Sequence, residues 1–164
     1  MRTDDTARSL AHLFSELVDG VTSRSGFALN TGDSGLIRSL DHLSAADASR
    51  STNDGATIAA HAQHVRFGLS LMNEWAAKGG NPFTSAKWDE AWKMTAVADD
   101  QWKEIRNGLG SEAHRWTEVL KTPRDANGVE FTGLVSSIVH LAYHLGAMRQ
   151  INKDTRGPKE GTFA

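Results

Sequence analysis

Apolar residues recur with a helical period in four stretches of the chain. The first runs from about Thr6 to Val18, where Ala7, Leu10, Phe14, Leu17 and Val21 make one stripe and Gly20 is a stop signal. The second runs from about Ala56 to Ala77. Ile58, His61, Val65, Leu69 and Met72 share a face there, and Gly79-Gly80 ends it. The third runs from about Asp99 to Lys121, with Trp102, Ile105, Leu109, Ala113, Trp116 and Leu120 in line and Pro123 just beyond. The fourth, about Thr132 to Ile151, is apolar nearly all round, as expected of a helix buried on more than one side or facing a second copy of the chain.

The connections are polar and carry shorter helical signals. Gly35–Leu43 follows a possible N-cap at Asp33-Ser34, and Ser44-Ala45-Ala46-Asp47 reads as a capping box. Trp88 and Trp92 mark a short helical piece after Asn81-Pro82-Phe83, and residues 122–131 read as a turn. No strand-like alternation is present. The pattern predicts an all-α four-helix bundle over residues 1–152, with short extra helices in the connections and a polar, mobile tail at 153–164.

Composition narrows the chemistry. In 164 residues there are 18 Lys+Arg against 20 Asp+Glu, a net charge of -2 that lacks the basic excess of a nucleic-acid binder. An acidic, polar start and the lack of a run of ~20 apolar residues predict no export signal, no membrane span and a cytoplasmic protein. Cysteine is absent, which excludes disulfides, thiolate ligands and a cysteine nucleophile.

Histidine is abundant, with 7 copies, and their positions differ in kind. At about 100° per helical residue, His12, His42 and His114 lie off their apolar stripes and read as surface groups. His61 sits in the middle of an apolar face, and His64 lies at its edge, about 60° away. His140 and His144 are four apart and stack on one side of the fourth helix. Three imidazoles from two helices, His61, His140 and His144, can therefore converge inside the bundle.

A lone inward histidine is ordinarily a satisfied core residue. Several together are costly unless every nitrogen has a partner, and a divalent metal is the common partner that resolves this. Three histidines leave an open coordination position, the layout of a catalytic rather than a structural site. His140-Leu141-Ala142-Tyr143-His144 lacks the glutamate of the H-E-x-x-H proteases, and the Glu-x-x-His pairs of di-iron bundles are missing too.

Thr57-Ile58-Ala59-Ala60-His61-Ala62-Gln63-His64 resembles the second-helix signature of the DinB/YfiT-like superfamily. His140-Leu141-Ala142-Tyr143-His144-Leu145-Gly146-Ala147-Met148-Arg149-Gln150 resembles its fourth-helix H-x-x-x-H-x-G-x-x-x-Q pattern. The resemblance implies an up-down-down-up four-helix bundle, a homodimer, and one divalent metal (zinc, nickel or iron). The implied ligands are His61, His140 and His144, with His64 as an alternative or auxiliary. Relatives include thiol-dependent S-transferases, a mycothiol-dependent isomerase and metal-dependent hydrolases, so a small-molecule substrate is expected.

If the chain is a transferase, an external low-molecular-weight thiol must bring the sulfur, because the chain has none to offer. A hydrolase would want a carboxylate base, and no Asp or Glu is placed inward near these histidines. This favours the transferase over the hydrolase. A non-catalytic metal- or ligand-binding stress bundle, or a helical interaction protein with packing histidines, are the competing classes. Trp75, Trp88, Trp92, Trp102 and Trp116 read as core or lid packing, with Trp88 and Trp92 also able to shape a pocket. Tyr143 is placed to orient a ligand or to pack, and Arg149 reads as surface or interface. Lys153, Arg156 and Lys159 read as a solvated end.

Overall fold

A computed structural model of the chain describes residues 3–159. The described residues are all-helical, with no strand. Seven α-helices follow in order: α1 (Thr3–Asp19), α2 (Gly35–Asp41), α3 (Ala45–Ala48), α4 (Ile58–Lys78), α5 (Trp88–Ala91), α6 (Asp99–Lys121) and α7 (Gly128–Ile151). Two 3-10 turns, Pro82–Ser85 and Lys153–Thr155, complete the set.

Local chemistry accounts for the boundaries. Thr57 caps α4 by accepting the Ala60 N–H at 3.2 Å. Gln101 Oε1 accepts the Ala98 N–H at 2.9 Å and so closes the start of α6. Helix α7 begins at Gly128, four residues before the position predicted from its apolar run. The reason is a capping box: Asn127 Oδ1 accepts from the N–H groups of Val129 and Glu130, and Glu130 Oε2 accepts from the Asn127 N–H. The expected box at Ser44 forms as well, with Asp47 N–H donating to Ser44 Oγ at 3.1 Å. Ahead of α2 the cap is Asp33 rather than Ser34, since Asp33 Oδ1 accepts the Gly35 N–H at 2.9 Å. Helix α1 stops at Gly20, whose φ of 88° and contact with the Asp33 carbonyl oxygen leave no room for a Cβ.

The four long helices touch in a ring, α1 on α6, α6 on α4, α4 on α7 and α7 on α1, with the closest packing between α4 and α6. Their stripes meet in one core that contains Phe14, Val18, Leu36, Ile58, Leu109, Trp116, Leu141 and Met148. Trp102 and Trp116 are core residues with satisfied rings: their N–H groups donate to the Leu43 carbonyl and to Ser137 Oγ, each at 2.8 Å.

Helix α7 meets the length and composition of a membrane-crossing helix, with mean hydropathy 1.2 over its most apolar stretch, although no unbroken apolar run occurs in it. It supplies Leu134, Leu141, Leu145 and Met148 to the core and carries two of the inward histidines. Its outer face leaves Phe131, Val135, Val139 and Tyr143 exposed.

Two expectations change at the end of α7. Arg149 is an inward clasp and not a surface residue: its guanidinium bonds Asp33 Oδ1 at 2.7 Å and the Thr155 carbonyl at 3.2 Å. Residues 153–155 are correspondingly held, with Thr155 buried and its hydroxyl donating to the Asn152 carbonyl at 2.6 Å. Residues 160–164 of the expected mobile tail lie outside the described residues.

Candidate metal centre

Helices α4 and α7 lie side by side, and each turns two histidines toward the other. His61 and His64 are one turn apart on α4, and His140 and His144 are one turn apart on α7. His12, His42 and His114 are exposed, as their positions off the apolar stripes predict.

The four inward rings form a connected cluster. His140 Nε2 lies 3.1 Å from His64 Nε2 and 2.9 Å from His144 Nε2. The ligand atoms of His64, His140 and His144 all fall within 4.8 Å of one another. His61 stands outside this trio. Its Nδ1 lies 2.8 Å from His144 Nδ1, on the far side of the His144 ring. So the α4 member of the convergent set is His64, and His61 meets His144 from its other side. The sequence expectation names His61 as ligand with His64 as alternative or auxiliary, and of these two the ring that joins His140 and His144 is the alternative, His64. The angular difference between them is small, and side-chain rotamers decide which ring reaches the centre.

The donor chemistry fits a cation. Each neutral imidazole nitrogen has one lone pair or one proton. His140 Nε2 has two close nitrogen neighbours, so protons alone leave it one lone pair to serve two donors. Three lone pairs directed at one cation remove the conflict. Zinc–nitrogen bonds of about 2.0–2.1 Å in tetrahedral geometry separate the nitrogens by about 3.3 Å, close to the 3.1 and 2.9 Å of the two pairs that His140 makes. The His144 ring can then donate through Nδ1 to His61, the outer hydrogen bond that fixes the tautomer of a ligating histidine. His64 Nδ1 is buried without a hydrogen-bond partner among the described residues.

Electrostatics keep those lone pairs free at neutral pH. Burial pushes all four histidines below their ordinary value. His64 falls to about 4 and His144 to about 3, in both cases through burial first and then the neighbouring imidazoles. No carboxylate hydrogen-bonds any of the four rings among the described residues.

Aromatic residues cover the cluster. Trp92, just after α5, stacks on His64 with centroids 4.3 Å apart and sets its edge to His61 at 5.3 Å. Trp88 packs near His64 at 5.6 Å and against Phe67 at 5.3 Å, and it lies parallel to Phe83. Residues 82–92 are thus an aromatic cover over the α4 side of the centre. Tyr143 meets the His144 ring edge-on at 5.0 Å yet remains 68% exposed, so it flanks the centre from outside.

A cavity of about 780 Å³ runs from His140 between α4 and α7 to the loop that follows α4. Leu69, Met72, Trp75, Phe83 and Trp88 form its walls. Its size lies within the range of small-molecule sites. Sequence reasoning missed Trp75, Phe83 and Gly133 as pocket residues. The available signal was the pairing of small Gly133 with large Trp75 across the helices, which needs the register of α4 on α7.

No family model, curated protein or solved structure matches the chain.

Proposed function

We propose that the chain is a DinB-like metal-dependent enzyme that transfers an external low-molecular-weight thiol to a small electrophile. The observation that carries this reading is the convergence of three neutral Nε2 atoms, one of them on His140, which also lines an aromatic-walled cavity. The two-helix histidine pattern that resembles the superfamily supports it, and on this reading the ring of long helices is its up-down-down-up bundle. The homodimer expected from the sequence would pair along the exposed face of α7.

His64, His140 and His144 would hold the divalent cation (zinc, nickel or iron), with His61 orienting His144. Bound there, the cation supplies a lowered pKa to a thiol at its open position. The chain's own residues do the rest. Trp92 and Trp88 exclude water from the α4 side, and the cavity walls position the electrophile next to His140. In the overall change, sulfur forms a bond to the electrophilic carbon, the carbon–leaving-group bond breaks, and the thiol proton departs with the leaving group. The lack of a carboxylate partner for the rings favours a nucleophile that needs no separate general base.

The test uses protein purified without a histidine tag. One divalent ion per chain is expected, together with conjugation of haloaromatic or epoxide electrophiles by at least one of several cellular thiols. Stoichiometric metal with no conjugation above the chelated control would refute the transferase and leave the metal centre standing.

A further inference from the structure

The composition of the cavity wall speaks to what enters it. Three aromatic rings, Trp75, Phe83 and Trp88, face the space, with Leu69 and Met72 behind them. Two of the glycines that border it face large rings. A Cβ on Gly133 would sit 3.1 Å from Trp75 Cζ3, and one on Gly68 would sit 3.7 Å from His140 Cε1. A methyl group at Gly133 would thus press on a cavity wall.

Charge is the second observation. Among the described residues no lysine or arginine lines the cavity. Glu130 is its single acidic residue. That carboxylate already accepts the Asn127 N–H at 2.9 Å and sits in the first turn of α7, where the helix end offsets its charge. A carboxylate or phosphate placed among these walls would leave water with no lysine or arginine to meet it, at a large desolvation cost. A cationic guest would find its counter-charge already engaged. An uncharged, flat apolar group has no charge to desolvate on entry and gains contact with the aromatic walls.

We propose that the cavity beside His140 takes an uncharged aromatic group of one or two fused rings, held between Trp75 and Trp88. This deepens, and rests on, the reading of the site as a small-molecule enzyme. The aromatic body belongs to the electrophile. Charged portions of a thiol co-substrate stay outside the cavity.

The experiment compares 2-naphthol, 2-naphthoate and 2-naphthylmethylammonium by calorimetric titration of the full chain at pH 7. It is run as purified and again after chelator dialysis, so that carboxylate–metal contact does not enter the comparison. The naphthol is expected to bind at least tenfold more tightly than either ion in chelated protein. Trp88→Ala, which truncates a half-buried ring on a short helix, should weaken it about tenfold, and Gly133→Val should block it. Equal or tighter binding of the anion or the ammonium ion overturns the proposal. So does naphthol binding that neither variant changes, since the ligand would then sit elsewhere. Naphthol binding with no stoichiometric metal leaves this inference intact and removes the metal reading; metal without a naphthol preference does the reverse.

Discussion

Helix α7 carries two buried polar clusters less than two turns apart, and they solve the same problem in opposite ways. At its C-terminal end Arg149 meets Asp33, and Asp33 also accepts the Gly35 N–H. Nearby, the buried Glu16 carboxylate takes the N–H groups of Phe27, Ala28 and Leu29 at 2.9, 2.7 and 2.6 Å. Burial alone would raise the Glu16 pKa, but these three donors and His12 outweigh it and hold the group below its ordinary value. In this region donors and acceptors match, and the result is a fastened loop. At His140 they do not match: its Nε2 meets two nitrogens with one lone pair or one proton to offer, and His64 Nδ1 has no partner among the described residues. A balanced buried cluster explains itself as architecture. An unbalanced one points outside the chain, to a ligand.

The difference can be broken by substitution. The largest effect expected is at the crowded end, where His64→Ala or His140→Ala should take bound metal from one ion per chain to near zero by elemental analysis. The fold should persist, because a cost is removed along with the ring. The clasp should respond in the opposite sense. Arg149→Met leaves Asp33 buried and unpaired, so chemical denaturation should show a loss of about 3 kcal/mol with metal content unchanged. Metal lost along with stability would mean that the two clusters are one cooperative unit.

A smaller effect separates the two α4 histidines. His61→Ala removes the partner of His144 and should weaken metal affinity about 10- to 100-fold while stoichiometry survives at high metal concentration. If His61→Ala abolishes binding and His64→Ala does not, the roles assigned from the geometry are reversed.

The smallest effect is in pH, and its windows differ between the clusters. Histidines whose folded pKa lies below 6.5 bind fewer protons than the unfolded chain, so their stability is complete above pH 6.5 and is lost as pH falls toward about 4 for His64 and about 3 for His144. Glu16 is depressed from 4.5, so its contribution is complete above that value and drains away only below it. Thermal unfolding of chelated protein should therefore decline from pH 6.5 downward. His144→Phe should flatten the curve between 6.5 and 4.5 and leave the steeper acid limb in place. An unchanged curve would show that the rings are charged, or exposed, in the folded state.

The long helices were legible because each needs an apolar stripe, and a stripe is a local property. The stripe of α6 (Trp102, Ile105, Leu109, Ala113, Trp116, Leu120) is buried residue for residue. The α7 start at Gly128 was misplaced because Asn127-Gly128 also reads as a turn, and only the side-chain bond from Asn127 to the backbone shows it as a cap. Glu16 and Arg149 were illegible for another reason. Each is a charged residue on an otherwise ordinary helix, and its partner lies at the other end of a loop or 116 residues away.

The sequence by itself determined the helices, the missing thiol and the presence of three inward histidines on two helices with His64 at the border, because periodicity and composition need no partner to be read. Tertiary structure decided which three nitrogens converge, that His61 meets His144 on its other side, and that the adjoining cavity is lined by aromatic rings and by no lysine or arginine. Those depend on the register of α4 against α7 and on rotamers within it, and an angular difference of about 60° is enough to decide which ring joins the centre.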